Sequence, residues 1–240
     1  MSDDLESLML NQTPTADRPL LGLTVLMVED SRFASEAMRL LCLRSGARIR
    51  RADNLKSAHR HLAVYRPSVV IVDLGLPDGS GVELIRDLSG AVPRVGVIFG
   101  ISGNDDGAEM AMNAGADGYF AKPIESLAKF QQAILQHLPA EAQPKGLRTV
   151  TQDTISPDPL ALHDDLMHIA DVLTTSATDK EAIDYIAQFL NGVARIAHDE
   201  HLESAVAQLS RHRATGQPFG SDIAQIAGMV QQRLEHRKVV

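Results

Sequence analysis

The sequence has few cysteines and no long apolar run, and both absences narrow the class of protein. Cys42 is the only cysteine in the 240 residues, so an intrachain disulfide is excluded and a reducing, cytoplasmic environment is expected. No apolar stretch approaches the length of a membrane span. Residues 1–21 lack the apolar core of a signal peptide, and we expect them to form a flexible polar leader.

An excess of positive charge is also missing. The chain carries 23 Lys and Arg against 31 Asp and Glu, a formal net charge of −8. A general nucleic-acid binder needs clustered Lys and Arg to neutralise phosphates, so the composition argues against that class. Hydrophobic residues make up 44% of the chain, which is enough for a real core.

Strand and helix patterns alternate five times across residues 22–138. Four apolar, β-branched runs predict buried strands, at residues 24–28, 69–73, 95–101 and 118–121. A weaker pattern predicts an edge strand at 47–51. Helical patterns follow these strands and begin near residues 31, 54, 81, 105 and 125. Such alternation predicts a doubly wound α/β fold, with helices on both faces of a five-stranded parallel sheet.

Polar residues stand at the carboxyl ends of the predicted buried strands. The first strand runs into Glu29 and Asp30. The next ends at Asp73, the following one reaches Ser102, and the last runs into Lys122. Open α/β sheets bind their ligands beyond the carboxyl ends of the strands. We therefore expect three carboxylates, one hydroxyl and one ammonium group to meet at one edge of the sheet.

In this order, the acidic pair, Asp73, Ser102 and the pair Lys122-Pro123 resemble the receiver domain of bacterial two-component response regulators. The resemblance covers residues 22–138, roughly half of the chain. It implies a flavodoxin-like sheet with strand order 2-1-3-4-5. It also implies that Asp73 accepts a phosphoryl group from a histidine kinase or a histidine phosphotransferase, with no enzymatic activity beyond autophosphatase activity.

The resemblance and the chemistry of phosphoryl transfer together predict a magnesium site. Charge on the transferred group must be neutralised, and Mg²⁺ prefers a few carboxylates, a backbone carbonyl and retained waters. Asp30 and Asp73 are the expected direct ligands, and Glu29 is expected to act through water. The family's carbonyl ligand falls two residues after the phosphoacceptor, at Gly75.

Three further side chains have expected roles in phosphorylation and switching. Lys122 would pair first with the Asp73 carboxylate and then with the phosphoryl oxygens. The resemblance implies that the Lys122–Pro123 peptide is cis, which would aim the ammonium group inward. Ser102, where threonine is commoner in the family, would follow the phosphoryl group by hydrogen bonding, and Tyr119 would then turn inward.

The composition changes after residue 138. Residues 139–159 contain four prolines and little apolar periodicity, which predicts a linker with few contacts. Beyond it the strand patterns stop, and helices are predicted at about 160–175, 179–197, 199–213 and 222–237. Apolar stripes on the second and fourth helices indicate a small bundle in residues 160–240, which could also pair with another chain.

Six of the nine histidines lie in this helical half. His198 and His201 have the spacing of one helix face, but no metal motif completes the pair, and we interpret both as surface residues. His163 followed by Asp164 resembles the phosphoaccepting histidine of histidine kinases and phosphotransferases. That match stops at two residues, so exposed helix surface is the preferred interpretation.

Three functions remain open for the helical half. It could be a protein-interaction or homodimerisation module controlled by phosphorylation, or a phosphorelay carrier with a phosphohistidine at His163. It could also be a transcriptional output domain. Residues 156–240 hold seven Lys or Arg and twelve Asp or Glu, a net charge of −5, which argues against DNA binding. We expect no membrane partner.

Overall fold

The computed structural model describes residues 13–145, 153–176 and 180–236. In these ranges a sheet with helices on both faces is followed by a bundle of helices. Most of the predicted leader (1–12) and the centre of the predicted linker (146–152) lie outside the described residues. None of the described helices is long and apolar enough to cross a membrane.

Five parallel strands form the sheet, and their order confirms the predicted topology. The strands are β1 (Thr24–Val28), β2 (Arg48–Ala52), β3 (Val69–Asp73), β4 (Val97–Ser102) and β5 (Gly118–Ala121). Their spatial order is β2-β1-β3-β4-β5, and every pairing is parallel. All residues of β3 and β4 are buried, since helices cover both faces of the sheet.

Five helices cover the two faces of this sheet. They are α1 (Arg32–Ser45), α2 (Leu55–Val64), α3 (Gly81–Gly90), α4 (Gly107–Asn113) and α5 (Leu127–Leu135). Met38 of α1 and Phe130 of α5 belong to one core cluster, while Ala58, Ile85 and Ala111 of the other helices belong to the cluster on the opposite face. Side-chain caps from Ser31, Asn54, Ser80 and Ser126 begin four of the helices.

A short antiparallel hairpin lies between β3 and α3, where the sequence indicated only a turn. Its two strands are Gly75–Leu76 and Gly79–Ser80, and Gly79 adopts φ 151. Only glycine adopts this backbone conformation readily. The Asp78 carboxylate in the turn accepts hydrogen bonds from the amides of Leu55 and Lys56 at the start of α2. The hairpin therefore ties the end of β3 to the neighbouring helix.

Both ends of the sheet domain carry additional packed residues. Leu20, in the predicted leader, is fully buried in the α1 and α5 core, and Ile155, in the predicted linker, belongs to the same cluster. The Ile155 amide donates to the Glu125 carbonyl at 3.0 Å. The described part of the linker thus packs against the sheet domain, although its composition predicted few contacts. The sequence did not reveal this packing because a single buried apolar side chain leaves no periodic pattern.

Within its described residues, the helical half is a bundle of four helices. They are α6 (Pro159–Ser176), α7 (Lys180–Ile196), α8 (Glu200–Thr215) and α9 (Gly220–His236). The apolar stripes predicted on α7 and α9 meet inside one core cluster, where Ile186, Leu190, Ile226 and Val230 are almost completely buried. The two apolar stripes therefore pack against other helices of the same bundle.

Candidate functional site

A buried ion-pair network lies at the carboxyl edge of the sheet. The Lys122 Nζ atom is 2.7 Å from Asp73 Oδ2 and 2.7 Å from Glu29 Oε2. All three side chains are at least nine-tenths buried. Lys122 extends from the end of β5, Asp73 ends β3, and Glu29 follows β1. Three separate strand ends thus place one ammonium group between two carboxylates.

Backbone contacts hold the acidic pair in place after β1. The Glu29 amide donates to the Ala52 carbonyl at 2.9 Å, which extends the pairing of β1 with β2. Arg51 Nη2 donates to the Asp30 carbonyl at 2.9 Å, and the Ser31 amide donates to Glu29 Oε1 at 3.2 Å. These contacts fix the backbone of the turn between β1 and α1, and so fix the positions of the Glu29 and Asp30 carboxylates.

Burial and mutual repulsion shift the protonation of these groups. Burial raises the pKa of Asp30 to about 6, and the nearby Asp73 charge adds to the shift. Burial and Asp73 also raise the pKa of Glu29 well above its ordinary value, while Lys122 opposes the shift. For Lys122, burial lowers the pKa, but Asp73 and Glu29 outweigh it and keep the ammonium group charged.

The acidic cluster fits a hard divalent cation. One carboxylate oxygen from each of Glu29, Asp30 and Asp73 lies within 4.8 Å of the others. Asp30 Oδ1 is buried without a hydrogen-bond partner, so it is free to bind a cation. Among the described residues no other group of three His, Cys, Asp or Glu side chains has such an arrangement. Oxygen donors of this kind suit Mg²⁺.

Ser102 and Tyr119 lie beside this cluster. Ser102 is 1% exposed, and its hydroxyl accepts a hydrogen bond from the Asn104 amide at 3.0 Å. The Tyr119 hydroxyl donates to the carbonyls of Ser102 and Asn104 at 3.1 and 3.2 Å. Burial raises the pKa of Tyr119. The aromatic ring is thus held against the loop between β4 and α4.

Two further predicted positions belong to the same edge. The Gly75 amide is 3.3 Å from Asp73 Oδ1, which places the hairpin directly beside the carboxylate. The peptide bond between Lys122 and Pro123 is cis. Every residue that the sequence predicted for the site is therefore found at the carboxyl edge of the sheet.

Side chains of the helical half also reach this edge, among them Tyr185 and Asp165, and sequence reasoning missed both. The Tyr185 hydroxyl of α7 donates to Asp30 Oδ2 at 2.7 Å. Asp165 of α6 accepts hydrogen bonds from the Ser31 hydroxyl at 2.7 Å and from the Arg32 and Phe33 amides at 2.8 and 3.0 Å. Polar residues on an amphipathic helix usually face solvent, so these contacts were not predicted. The one available signal was that Tyr185, Gln188 and Gly192, three and four residues apart, lie on one side of the same helix.

The histidines of the helical half lie elsewhere. His163 lines a groove of about 760 Å³ between α6, α7 and α8, together with His198 and His201. His198 Nε2 is 2.6 Å from Glu125 Oε1 of the sheet domain, and the His198 side chain is 68% exposed, so it is a surface residue as predicted. His168 Nε2 is 3.1 Å from the Tyr185 hydroxyl. Asp165 and Tyr185 contact the acidic edge, whereas His163 lines this groove.

The strand order and the helices on both faces define an open, doubly wound α/β domain with an acidic pocket at its carboxyl edge. Residues 25–135 match the family model of the response regulator receiver domain. This part of the chain is a response regulator receiver domain, as the order of its motifs predicted.

Curated relatives match roughly half of the chain. The KDP operon transcriptional regulatory protein KdpE of Escherichia coli is 32% identical over 147 residues, which are 59% of this chain and 58% of the relative. The virulence transcriptional regulatory protein PhoP of Salmonella typhimurium is 34% identical over 116 residues, 47% of this chain and 51% of the relative. The chain thus spans little more than half the length of these relatives.

Known structures also cover about half of the chain. A crystal structure of a response regulator from Chloroflexus aurantiacus covers 48% of this chain and 96% of its own, with 24% identity and a TM-score of 0.45. A receiver domain of a sensor histidine kinase from Pseudomonas aeruginosa, solved with a coordinated magnesium ion, covers 48% and 95%, with 24% identity and a TM-score of 0.43.

Proposed function

We propose that the protein is a cytoplasmic response regulator that accepts a phosphoryl group on Asp73 from a histidine kinase or histidine phosphotransferase. The observation that carries the proposal is the 2.7 Å contact between Lys122 Nζ and Asp73 Oδ2 beside the carboxylates of Glu29 and Asp30. A cation paired with a strand-end carboxylate neutralises charge on an incoming phosphoryl group. Residues 22–138 would form this module, residues 139–159 the linker, and residues 160–240 the output domain.

The proposed transfer is a displacement at phosphorus. An Asp73 carboxylate oxygen forms the new bond to phosphorus, and the bond between phosphorus and the donor's imidazole nitrogen breaks. The electron pair of that bond stays on the imidazole, and Lys122 pairs with the phosphoryl oxygens as charge develops on them. Water hydrolyses the acyl phosphate later and restores the carboxylate.

A bound Mg²⁺ would neutralise charge on the phosphoryl oxygens. Asp30 and Asp73 would hold it directly, the Gly75 carbonyl would complete the protein ligands, and Glu29 would contribute through water. Ser102 and Tyr119 would transmit the change. The Ser102 hydroxyl would exchange its Asn104 amide bond for one with the phosphoryl group, and Tyr119 would move with the loop.

For the output, we propose a protein-interaction role, in cis, as a homodimer or with another protein. Three of the seven Lys and Arg residues in the helical half, Arg195, Arg213 and Arg233, pair with carboxylates, which lowers the positive charge that they can offer to phosphates. The names of the curated relatives favour a transcriptional role as the second candidate, but those matches span only 47–59% of this chain.

Labelling tests the phosphoacceptor assignment. The full chain is incubated with Mg²⁺ and acetyl phosphate, and the acyl phosphate is mapped by mass spectrometry after borohydride reduction. We expect the label on Asp73 and none in the Asp73→Asn variant. Asp78→Asn, in the adjoining hairpin, is the matched control and should keep the label. Full labelling of Asp73→Asn would exclude Asp73 as the acceptor.

A further inference from the structure

The helical half covers the pocket that a phosphodonor must enter. Tyr185, Gln188 and Gly192 are three and then four residues apart, which places them on one side of α7. Tyr185 also packs against the edge of the bundle core. This side of α7 lies across the carboxyl edge of the receiver sheet. A donor must bring phosphorus to within about 3–3.5 Å of an Asp73 oxygen, in line with the breaking bond. The space over Asp73 that α7 covers must therefore be free for the transfer.

Two glycines show how closely α7 packs against the carboxyl edge of the receiver sheet. A Cβ atom at Gly75, in the hairpin beside Asp73, would lie 2.0 Å from the side chain of Gln188. A Cβ atom at Gly192 would lie 3.3 Å from Lys122 Cδ and 3.4 Å from Lys122 Nζ. The Gln188 amide and the α7 backbone therefore cover the hairpin and the ammonium group.

Directional polar bonds hold the helices in this position. Asp165 of α6 caps the N-terminus of α1 through the amides of Arg32 and Phe33, where a negative charge is favoured by the unpaired amides and the helix dipole. Asp165 is 3% exposed, although its own helix belongs to the other half of the chain. An interdomain helix cap specifies one arrangement of the two halves.

Further bonds follow around the rim of the pocket. Asn191 Nδ2 donates to the Gly103 carbonyl at 3.0 Å, and Arg195 Nη2 is 3.2 Å from Asp105 Oδ1. Both partners lie in the loop after β4, which also contains the backbone that Tyr119 contacts. The helical half thus binds the loops that surround Asp73 as well as the pocket itself.

We propose that the helical half closes the phosphoacceptor site in the unphosphorylated protein, and that Asp73 is phosphorylated only after α6 and α7 leave it. The proposal rests on the proposed function of Asp73 and names its regulation. A phosphoryl group adds close to two negative charges and three oxygens where Gln188 and Tyr185 lie, so the closed and phosphorylated states exclude each other. By linkage, whatever releases the helices favours phosphorylation, and phosphorylation favours release.

The test uses the full chain and a matched pair of substitutions. Gly192→Leu places a side chain against Lys122 and should displace α7 from the pocket. Gly228→Leu puts the same side chain in α9, where a Cβ atom meets nothing within 4 Å. We expect Gly192→Leu to be labelled by acetyl phosphate roughly 5- to 150-fold faster than the wild type, the range of typical coupling between linked sites. Gly228→Leu should match the wild type.

Hydrogen exchange supplies a readout that does not depend on phosphorylation. The Arg32 and Phe33 amides have Asp165 as their hydrogen-bond acceptor, so they should be protected in the wild type and in Gly228→Leu. They should exchange rapidly in Gly192→Leu. Asp165→Ala, which deletes the cap without adding bulk, is the second opening variant and should behave in the same way.

The outcomes separate the closure proposal from the phosphoacceptor proposal. Equal labelling rates in the wild type and in variants whose two amides exchange rapidly would overturn closure. Rapid exchange of these amides in the wild type would overturn it as well. If no variant is labelled while exchange still shows release, the phosphoacceptor proposal fails and the docking of the helical half stands.

Discussion

At the scale of single residues, one carboxylate oxygen of Asp30 is hydrogen-bonded and the other is not. Its Oδ2 atom accepts a hydrogen bond from Tyr185, while its Oδ1 atom is buried without a partner. Burial, with a further contribution from the Asp73 charge, raises its pKa to about 6. The ionised form of this buried carboxylate is therefore unfavourable, and one of its oxygens has no hydrogen-bond donor. A divalent cation bound there would stabilise the ionised form.

This arrangement predicts a pH dependence for Mg²⁺ binding. A raised pKa means that the native protein takes up a proton at Asp30 as the pH falls through about 6, and that proton competes with the cation. We expect the affinity for Mg²⁺ to fall as the pH drops through about 6, by about tenfold per pH unit below the pKa of Asp30. Isothermal titration calorimetry between pH 5 and 8 measures it.

A matched pair of variants controls this prediction. Asp30→Asn removes the titrating ligand, so it should weaken Mg²⁺ binding and remove the pH dependence that Asp30 supplies. Asp87→Asn makes the same charge change at an exposed position of α3 and should bind Mg²⁺ as the wild type does. Unchanged binding in Asp30→Asn would contradict the assignment of Asp30 as a ligand.

At the scale of elements, the start of α4 is shaped around Tyr119. A Cβ atom at Gly107 would lie 2.5 Å from the Tyr119 hydroxyl and 2.9 Å from Ser102 Cβ. Gly107 therefore leaves room for the aromatic ring to bond the carbonyls of Ser102 and Asn104. This conformation of the loop between β4 and α4 is possible because Gly107 has no side chain.

Substitution of this glycine should reveal the constraint. Gly107→Ala should displace Tyr119 and destabilise the protein by roughly 1–3 kcal/mol, as overpacking of a close contact does. Gly90→Ala, at the end of α3 with nothing within 4 Å of the new Cβ, should be neutral or stabilising by up to about 1 kcal/mol. Urea unfolding measures both. A stable Gly107→Ala variant would show that the loop does not need this contact.

The sequence predicted the regular elements of the receiver well, because buried parallel strands and amphipathic helices leave periodic patterns. The strand ends at Glu29, Asp73 and Lys122 followed from this alternation, and so did their meeting at one edge. The hairpin at 75–80 was missed because two-residue strands have no period. Leu20 and Ile155 were missed because single apolar residues in polar segments look like ordinary loop residues.

At the scale of the whole molecule, the arrangement of the two halves could not be predicted from sequence. Asp165 contacts α1 across more than 130 positions of the chain, and Tyr185 contacts Asp30 across 155. Polar and small residues on the outer faces of α6 and α7 are typical of solvated surface, which hid their contacts with the receiver. The apolar stripes showed only that a bundle forms, since they pack within it.

The charge distribution of the whole molecule leads to a prediction about nucleic acids. Arg213 is paired with Asp184, and Arg233 Nη2 is 2.7 Å from Asp199 Oδ1, so cations of the bundle are neutralised within it. We expect the full chain, with or without acetyl phosphate, to show no salt-dependent binding to duplex DNA at micromolar concentration. Binding through phosphates would appear as a steep loss of affinity with rising salt. Fluorescence anisotropy at two salt concentrations measures it.

Two variants sharpen this last prediction. Asp184→Ala frees Arg213 from its carboxylate partner, whereas Asp87→Asn removes one negative charge from the receiver without freeing an arginine of the bundle. Each variant makes the net charge less negative by one. If DNA bound the bundle near Arg213, affinity would rise more in Asp184→Ala than in Asp87→Asn, because only Asp184→Ala frees a guanidinium group there. We expect no binding by either variant. Salt-sensitive binding of the wild type would favour the transcriptional role over protein interaction.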